Sequence, residues 1–194
     1  MPPSPFVIQW VSYVAARVRP RPSALDVATG TGRHLAGLAA AGFRPFGVDV
    51  SLEALRDARR RTVPPASVWC ADLTRTSLPA NRFDLVLVTR YLERSLFPAL
   101  KTTVVEGGFV LYETFTRGQL AHGTGPRSPA HLLEPSELRR RFDDAEARAG
   151  KADRLDSPVE AQVDLSVGPR FDILFYEECD APEAVARLVA RRVA

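Results

Sequence analysis

The chain has 194 residues, of which 45% are hydrophobic and 25% charged, and its formal net charge is +3. This composition is typical of a folded protein, so we interpret residues 1–194 as a single domain and exclude wholesale disorder. No apolar run reaches the roughly 18 residues of a membrane span, and Met1–Pro5 does not resemble a secretory signal. Cys70 and Cys179 indicate neither a zinc site nor a disulfide framework. We therefore predict a cytoplasmic protein with no membrane partner.

The basic residues are mostly arginines, and their densest runs are 59–61, 139–141 and 191–192. Each run lies near the end of a predicted helix or strand and has acidic residues nearby. Nucleic-acid binding calls for a basic face interleaved with aromatic stacking groups, and these runs lack that pattern. We therefore do not expect a nucleic-acid partner. The sequence leaves the oligomeric state open between monomer and dimer.

Hydrophobic runs and turn residues alternate along most of the chain in an order that predicts an α/β fold. Residues 1–20 contain an N-terminal helix that we expect to pack on the core. Leu52 and Leu55 are expected to face inward from a later helix. The predicted strands are 24–28, 46–49, 66–71, 83–89 and 109–112, and the predicted helices are 6–18, a segment after Gly32, 52–61 and 92–104.

The C-terminal part of the chain has weaker patterns. A loop with several glycines and prolines covers about 115–134, and Pro135 is expected at the first position of a helix, where proline is tolerated. Residues 143–170 have no clear period and are interpreted as a possible insertion. A strand is predicted at 171–178, and the segment 184–193 fits either an amphipathic helix or a buried strand.

A strand, a glycine-containing loop and a helix follow one another within residues 25–35. Gly30 and Gly32 allow a ligand to approach the backbone closely, and the next helix offers free N–H groups at its N-terminus. A dinucleotide-binding loop would carry a third glycine where Leu35 stands. Asp26, on the strand, would repel a pyrophosphate but suits a ligand that has an ammonium group and no phosphate. The pattern therefore favours a cationic ligand over a nicotinamide dinucleotide.

Acidic residues also end the next two predicted strands. Asp49 ends the second strand, where an acid can accept hydrogen bonds from both hydroxyls of a ribose. Asp72 follows the third strand and can accept a hydrogen bond from an adenine amino group. Together with Asp26 they describe a pocket for a cationic nucleoside, and S-adenosylmethionine has these features. Ordinary turn acids are the alternative, above all for Asp72.

These residues resemble the motifs of class I S-adenosylmethionine-dependent methyltransferases. Residues 26–32 (DVATGTG) are similar to the first motif of that family, with Ala28 where many members have another glycine. Residues 83–86 resemble the fourth-strand motif, and residues 106–111 resemble the turn into the fifth strand, with Glu106 in place of the usual proline. The resemblance implies an α/β fold with a Rossmann-like seven-stranded sheet, in which strands 1–5 are parallel, the last two form an antiparallel hairpin and helices cover both faces.

The resemblance also implies S-adenosylmethionine as cofactor and S-adenosylhomocysteine as product. Within the class, the chain is most similar to small bacterial tellurite-resistance (TehB-like) methyltransferases, through residues 32–34, 90–92 and 112–115. The residues that the resemblance places around the cofactor are Asp26, Ala28, Thr29, Gly30, Gly32, Arg33, Asp49, Val50, Ala71, Asp72, Leu73, Thr89 and Arg90.

Methyl transfer requires the acceptor to be positioned and water to be excluded, and a dedicated base is optional. Residues 88–91 (VTRY) lack the Asn/Asp-Pro-Pro-aromatic tetrad with which similar enzymes hold an amide or exocyclic amine. A small-molecule thiol, carboxylate, hydroxyl or metalloid oxyanion therefore stays open as acceptor. Tyr91 and Glu113 are the candidate catalytic residues, with simple packing as their alternative role. Arg33 or Arg90 is a candidate partner for the methionine carboxylate.

Three other functions are compatible with parts of the pattern. The arginine content allows an RNA or protein methyltransferase, and a nucleoside pocket alone allows a non-catalytic binding module. A nicotinamide dehydrogenase is disfavoured by Asp26 and Leu35. His34, His122 and His131 have no spacing that would bring them together, so no metal site is predicted.

Overall fold

The computed structural model describes residues 1–143 and 168–194, so residues 144–167 of the suggested insertion lie outside the described residues. The described residues form a seven-stranded sheet. Its strands are β1 Ser23–Val27, β2 Arg44–Asp49, β3 Ser67–Cys70, β4 Phe83–Thr89, β5 Val104–Phe115, β6 Arg170–Cys179 and β7 Val185–Val193. The α-helices of the described residues are α1 Pro5–Ala15, α2 Leu35–Ala40, α3 Leu52–Arg61, α4 Phe97–Thr103 and α5 Glu137–Phe142.

The strand order is β3-β2-β1-β4-β5-β7-β6. Strands β1 to β5 pair in parallel, whereas β7 runs antiparallel to both β5 and β6. This arrangement confirms the predicted sheet with its C-terminal hairpin. The order reverses between β1 and β4, and ligands of open α/β sheets bind at such a point, beyond the carboxyl ends of the strands. The segments that follow β1, β2, β3 and β4 therefore meet at one edge.

Apolar residues cover both faces of the sheet, and β4 is buried along its whole length. Val86 and Val88 lie in a cluster with residues of α4 and α5, whereas Leu85 and Leu87 lie in a second cluster on the other face with residues of α1, α2 and α3. Phe6 of α1 belongs to that second cluster, so the N-terminal helix packs on the core. No helix within residues 1–143 and 168–194 is long and apolar enough to cross a membrane.

The segment that fitted either a helix or a strand forms β7. It pairs with β5 on one side and with β6 on the other, so its backbone hydrogen-bonding groups are used by both neighbours. Val185 and Ala186 are buried although they point to opposite faces of the sheet, and Leu188 and Val189 repeat this pattern. Burial on both faces removes the alternation of polar and apolar residues, which is why periodicity alone did not identify a strand.

The expectation that Leu52 faces inward is wrong. Its side chain is 52% exposed, whereas that of Leu55 is 2% exposed, as predicted. Leu52 is the first residue of α3, which begins beyond the carboxyl end of β2, whereas Leu55 and Ala58 lie on the packed stretch of the helix.

The expectation that Pro135 opens a helix is also wrong, because α5 begins at Glu137. Ser136 has a left-handed backbone conformation (φ 56°) that separates the proline from the helix. The Glu137 side chain fixes this start, since it accepts a hydrogen bond from the backbone N–H of Glu134 at 3.0 Å.

The connection between β4 and β5 differs from the predicted bounds. A short 3-10 turn, Arg94–Leu96, precedes α4, and β5 begins at Val104 rather than near residue 109. Val104 pairs with Phe83 before a shift of register, after which Phe109 pairs with Leu85. The predicted turn at Gly107 is therefore an irregularity inside a longer strand.

An ion pair ties the segment after β4 to α5. Arg94 Nε and Nη2 each lie 2.8 Å from a Glu137 carboxylate oxygen. Burial disfavours the charged form of Glu137, but the hydrogen bonds from Arg94, Glu134 and Arg141 outweigh it and lower the pKa of Glu137 to about 2. The same Arg94 donates to the carbonyl of Leu132, which fixes the loop before α5.

We expect Glu137→Gln to lower the free energy of unfolding by about 1.5–3 kcal/mol at pH 7, because charge-assisted hydrogen bonds are lost. A carboxylate with a lowered pKa stabilises the fold above its unfolded pKa, and this contribution is lost as the pH falls toward 2. The difference between wild type and variant should therefore shrink between about pH 4.5 and pH 2 in urea titrations. Glu134→Gln is the control: its exposed pair with Arg117 should contribute less than about 1 kcal/mol. An equal loss in both variants would contradict this account.

Candidate cofactor site

The loop after β1 has an unusual backbone. Ala28, Gly30 and Gly32 all have positive φ values, of 53°, 55° and 75°. Thr29 holds the loop in place, since its N–H donates to the Val48 carbonyl at 3.0 Å and its hydroxyl donates to Asp26 Oδ2 at 2.7 Å. A left-handed conformation costs about 1–2 kcal/mol for a residue with a side chain. A glycine at the position of Ala28 would adopt this conformation without that cost.

The two glycines have different surroundings. A Cβ atom on Gly30 would have no other atom within 4 Å, so open space lies above its backbone. A Cβ atom on Gly32 would lie 2.7 Å from the Cβ of Ala58 and 2.9 Å from Leu35 Cδ1. Gly30 therefore leaves room for a ligand, whereas Gly32 allows the loop to pack against α3.

Asp49, the last residue of β2, holds two backbone segments. Its Oδ2 accepts a hydrogen bond from the Gly30 N–H at 2.8 Å, and its Oδ1 accepts one from the Ser51 N–H at 2.9 Å. Ser51 in turn caps α3 by accepting from the Ala54 N–H. Each carboxylate oxygen has about two acceptor positions, so the Asp49 carboxylate can still accept hydrogen bonds from a ligand.

A cleft of about 440 Å³ opens at the carboxyl ends of the first strands. This volume lies within the usual range for small-molecule sites. Seven of its eight lining residues were predicted to be site residues; only Thr74 was missed. The cleft is lined by Ala28, Asp49, Val50, Ala71, Asp72, Leu73, Thr74 and Tyr91.

Thr74 orients Asp72 within this cleft. Asp72 Oδ1 accepts from the Thr74 hydroxyl at 2.7 Å and from the Thr74 N–H at 3.0 Å. These hydrogen bonds lower the pKa of Asp72, so it is an acceptor at neutral pH. The signal for Thr74 was present in the sequence, because an Asp followed two residues later by a Thr is typical of a turn closed by the Asp side chain.

Tyr91 forms the wall of the cleft that follows β4. Its side chain is half-buried, and burial together with the nearby Glu93, Asp72 and Asp49 raises its pKa. The phenol is therefore protonated at neutral pH. The backbone carbonyl of Tyr91 accepts a hydrogen bond from the buried Tyr112 hydroxyl at 3.0 Å, which fixes this segment against β5.

Glu113, the other candidate catalytic residue, does not line the cleft. It lies opposite Arg187 in the pairing of β5 with β7, and its Oε2 lies 2.6 Å from Arg187 Nε. Arg187 also pairs with Glu177 at 2.7 Å. The Glu113 carboxylate is 8% exposed. Tyr91 therefore lines the cleft, whereas Glu113 has a partner within the sheet.

The predicted arginines lie at the end of β4. Arg33 donates to the Thr89 hydroxyl at 3.1 Å, and burial together with the nearby charge of Arg90 lowers the pKa of Arg33. Arg90 pairs with Glu183 and lies over the ring of Phe115, 5.1 Å from its centre. Arg33 has no carboxylate within 4 Å among the described residues, so its charge is the less compensated of the two.

His34 is buried at the start of α2, with its Nδ1 3.7 Å from Asp26 Oδ2. Asp26 is buried as well, and its Oδ1 has no hydrogen-bond partner within residues 1–143 and 168–194. His122 and His131 lie apart from it in the loop after β5, where both are exposed. In the described part of the chain, no three His, Cys, Asp or Glu side chains are grouped so that they could hold a metal ion.

Residues 24–107 match the family model of a methyltransferase domain. The fold is similar to that of an S-adenosylmethionine-dependent methyltransferase from Mesorhizobium loti, with 18% identity, a TM-score of 0.62 and coverage of 95% of this chain and 98% of that one. TehB from Haemophilus influenzae is 16% identical and has a TM-score of 0.64; the match covers 93% of this chain and 60% of TehB. The [4+2]-cyclase SpnF is 15% identical and has a TM-score of 0.64; the match covers 96% of this chain and 81% of SpnF. A comparison with curated proteins gives no match.

The chain therefore has the fold of class I S-adenosylmethionine-dependent methyltransferases, and residues 24–107 within it match a methyltransferase domain. At these identities the solved structures show the fold alone, and a cyclase shares that fold. The fold therefore identifies neither the methyl acceptor nor membership of the TehB-like group.

The different surroundings of the two glycines predict different effects of the same substitution. Gly30→Ala should cost about 1–2 kcal/mol of stability through backbone strain alone and should also weaken cofactor binding, because the methyl group enters the open space. Gly32→Ala should cost clearly more stability, because it adds a clash with Ala58. Urea unfolding and titration calorimetry with S-adenosylhomocysteine measure the two effects. Equal stability losses in the two variants would contradict the assignment.

Proposed function

We propose that the cleft holds the adenosine part of S-adenosylmethionine and that the chain transfers its methyl group to a small-molecule nucleophile. The observation that carries this proposal is the position of Asp49, which lines the cleft and holds the Gly30 backbone at 2.8 Å. A carboxylate in this position can accept hydrogen bonds from the ribose hydroxyls. We propose that Asp72 accepts a hydrogen bond from the adenine amino group and that Ala71, Leu73 and Val50, which also line the cleft, supply apolar contacts.

The residues present fit this cofactor in charge and in shape. Three carboxylates, Asp26, Asp49 and Asp72, lie around the loop, which suits a cationic ligand and disfavours a pyrophosphate. The open space above Gly30 allows close approach to the backbone. Arg33 is the better candidate for the methionine carboxylate, because Arg90 already pairs with Glu183.

When bound, the cofactor supplies a methyl group that is already activated on a sulfonium. The residues of this chain then have to position the acceptor in line with the methyl group and exclude water. Tyr91 is a neutral phenol beside the cleft, so we propose that it packs on the cofactor or donates a hydrogen bond. Glu113 is held by Arg187, so we propose that it shapes the neighbouring edge of the site rather than acting as a base.

The nature of the acceptor is part of the proposal. Residues 88–91 lack the tetrad that holds an amide or an exocyclic amine, which supports a thiol, carboxylate, hydroxyl or metalloid oxyanion. An RNA or protein acceptor is the second candidate, supported by the arginine content alone. A binding module without catalysis is the third candidate function. The cytoplasmic location stays a prediction.

Titration calorimetry should detect micromolar binding of S-adenosylmethionine and no binding of NAD. Asp49→Ala should weaken binding by about 1.5–3 kcal/mol, because hydrogen bonds to a charged group are lost. Asp57→Ala is the matched control, since Asp57 lies on α3, pairs with Arg60 and does not line the cleft. Equal affinity of wild type and Asp49→Ala would contradict the ribose assignment.

Turnover should be tested by the accumulation of S-adenosylhomocysteine with thiol, carboxylate, phenol and tellurite acceptors. We expect one of these small acceptors to react, and Glu113→Gln to retain most of that activity if the carboxylate only shapes the site. Tight cofactor binding without turnover of any acceptor would favour a binding module. Salt-dependent RNA binding would instead favour the nucleic-acid alternative.

A further inference from the structure

Two consecutive residues after the glycine loop contact the segment that precedes α1. Arg33 Nη1 lies 3.5 Å from the Pro2 carbonyl oxygen, and the N–H of Ser4 donates to His34 Nε2 at 3.2 Å. Ser4 is buried although it lies three residues from the start of the chain. The segment before α1 therefore lies against the first turn of α2, beside the glycine loop.

The hydrogen bond from Ser4 determines which nitrogen of His34 carries a proton. Nε2 accepts a hydrogen bond, so the proton of the neutral imidazole resides on Nδ1. Nδ1 faces Asp26 Oδ2 at 3.7 Å, and the Thr29 hydroxyl donates to the same oxygen. His34 is 2% exposed, so its ring is buried between the segment before α1 and Asp26.

Among the described residues, only one of the two carboxylate oxygens of Asp26 has a hydrogen-bond partner. Thr29 and His34 face its Oδ2, whereas its buried Oδ1 has no partner within the described residues. A buried acceptor without a donor is unfavourable, because it has lost its hydrogen bonds to water. An ammonium group on a ligand, or a water that bridges to one, would remove this cost.

We propose that His34 is a positioning residue, which transmits the docking of the segment before α1 to Asp26 and so sets the affinity for the amino-acid arm of the cofactor. This inference rests on the proposed function, because it assumes that the ammonium group of that arm interacts with Asp26. Without the Ser4 N–H, the imidazole ring loses the hydrogen bond that fixes it at Nε2, and it can turn its Nδ1–H away from Asp26 Oδ2. Asp26 Oδ2 would then lose a facing donor, and the carboxylate would shift.

A substitution to proline at Ser4 removes the donor and also places the ring Cδ where the N–H pointed, so the segment before α1 is displaced from His34. Ser4 has φ −67° and ψ 132°, which proline adopts without strain, and proline has no N–H. Ser4→Ala is the matched control, because it keeps the N–H and removes the hydroxyl, which has no partner among the described residues. The ligands are S-adenosylhomocysteine, which carries the amino-acid arm, and 5′-methylthioadenosine, which lacks it. The ratio of their dissociation constants is insensitive to a general loss of stability.

We expect Ser4→Pro to raise the dissociation constant of S-adenosylhomocysteine about five- to tenfold and that of 5′-methylthioadenosine less than about twofold. Ser4→Ala should leave both unchanged. His34→Asn places an amide N–H where Nδ1 stands and has no Nε2 to accept from Ser4. In the His34→Asn background, Ser4→Pro should therefore have no further effect on the ratio.

The outcomes separate this inference from the proposed function. If the wild type binds neither nucleoside, the proposed function is overturned, and this inference with it. If the wild type binds both and Ser4→Pro leaves the ratio unchanged, only the role of His34 is overturned. The role of His34 is also overturned if Ser4→Pro changes the ratio of dissociation constants equally in the wild-type and the His34→Asn backgrounds.

Discussion

The carboxylate of Asp49 joins three parts of the site: the end of β2, the glycine loop and the start of α3. One of its oxygens holds the Gly30 N–H and the other holds the Ser51 N–H, so the glycine loop and the start of α3 are fixed to the end of β2. The same side chain lines the cleft that we assign to the cofactor. A ligand that engages Asp49 therefore meets a carboxylate that is already oriented, and little conformational freedom is lost on binding.

The sheet and most of the cleft could be predicted because their signals are local. A buried strand followed by an acid or a glycine identifies a strand end, and parallel pairing brings such ends together. The roles of Gly30 and Gly32 could not be distinguished in this way, because the difference depends on Ala58, which lies in α3 and is 26 residues beyond Gly32 in the chain. The pairing of Glu113 with Arg187 was missed for the same reason: the partner is supplied by a strand more than 70 residues away.

The conformation of β7 shows a second limit of local patterns. A strand that is paired on both sides and buried on both faces has the composition of a buried helix, and only its neighbours decide between the two. The exposed Leu52 shows the converse case, because its spacing matches that of Leu55 but it lies at the exposed first position of α3. In both cases the deciding contacts come from tertiary structure.

The charged side chains near the end of β4 have partners of a different kind from those of the carboxylates that line the cleft. Arg90 pairs with Glu183, and Glu113 pairs with Arg187, so these side chains stabilise the edge of the sheet. Within the described ranges, Asp49 and Asp72 form no ion pair and accept hydrogen bonds from backbone N–H groups and a hydroxyl. This contrast agrees with a reaction in which the cofactor is held strongly and the protein mainly positions the acceptor.

A crystal structure with S-adenosylhomocysteine tests the central claim most directly. We predict that the ribose hydroxyls lie within hydrogen-bond distance of Asp49 and the adenine amino group beside Asp72. An adenosyl group bound elsewhere, with no contact to Asp49, would contradict the account.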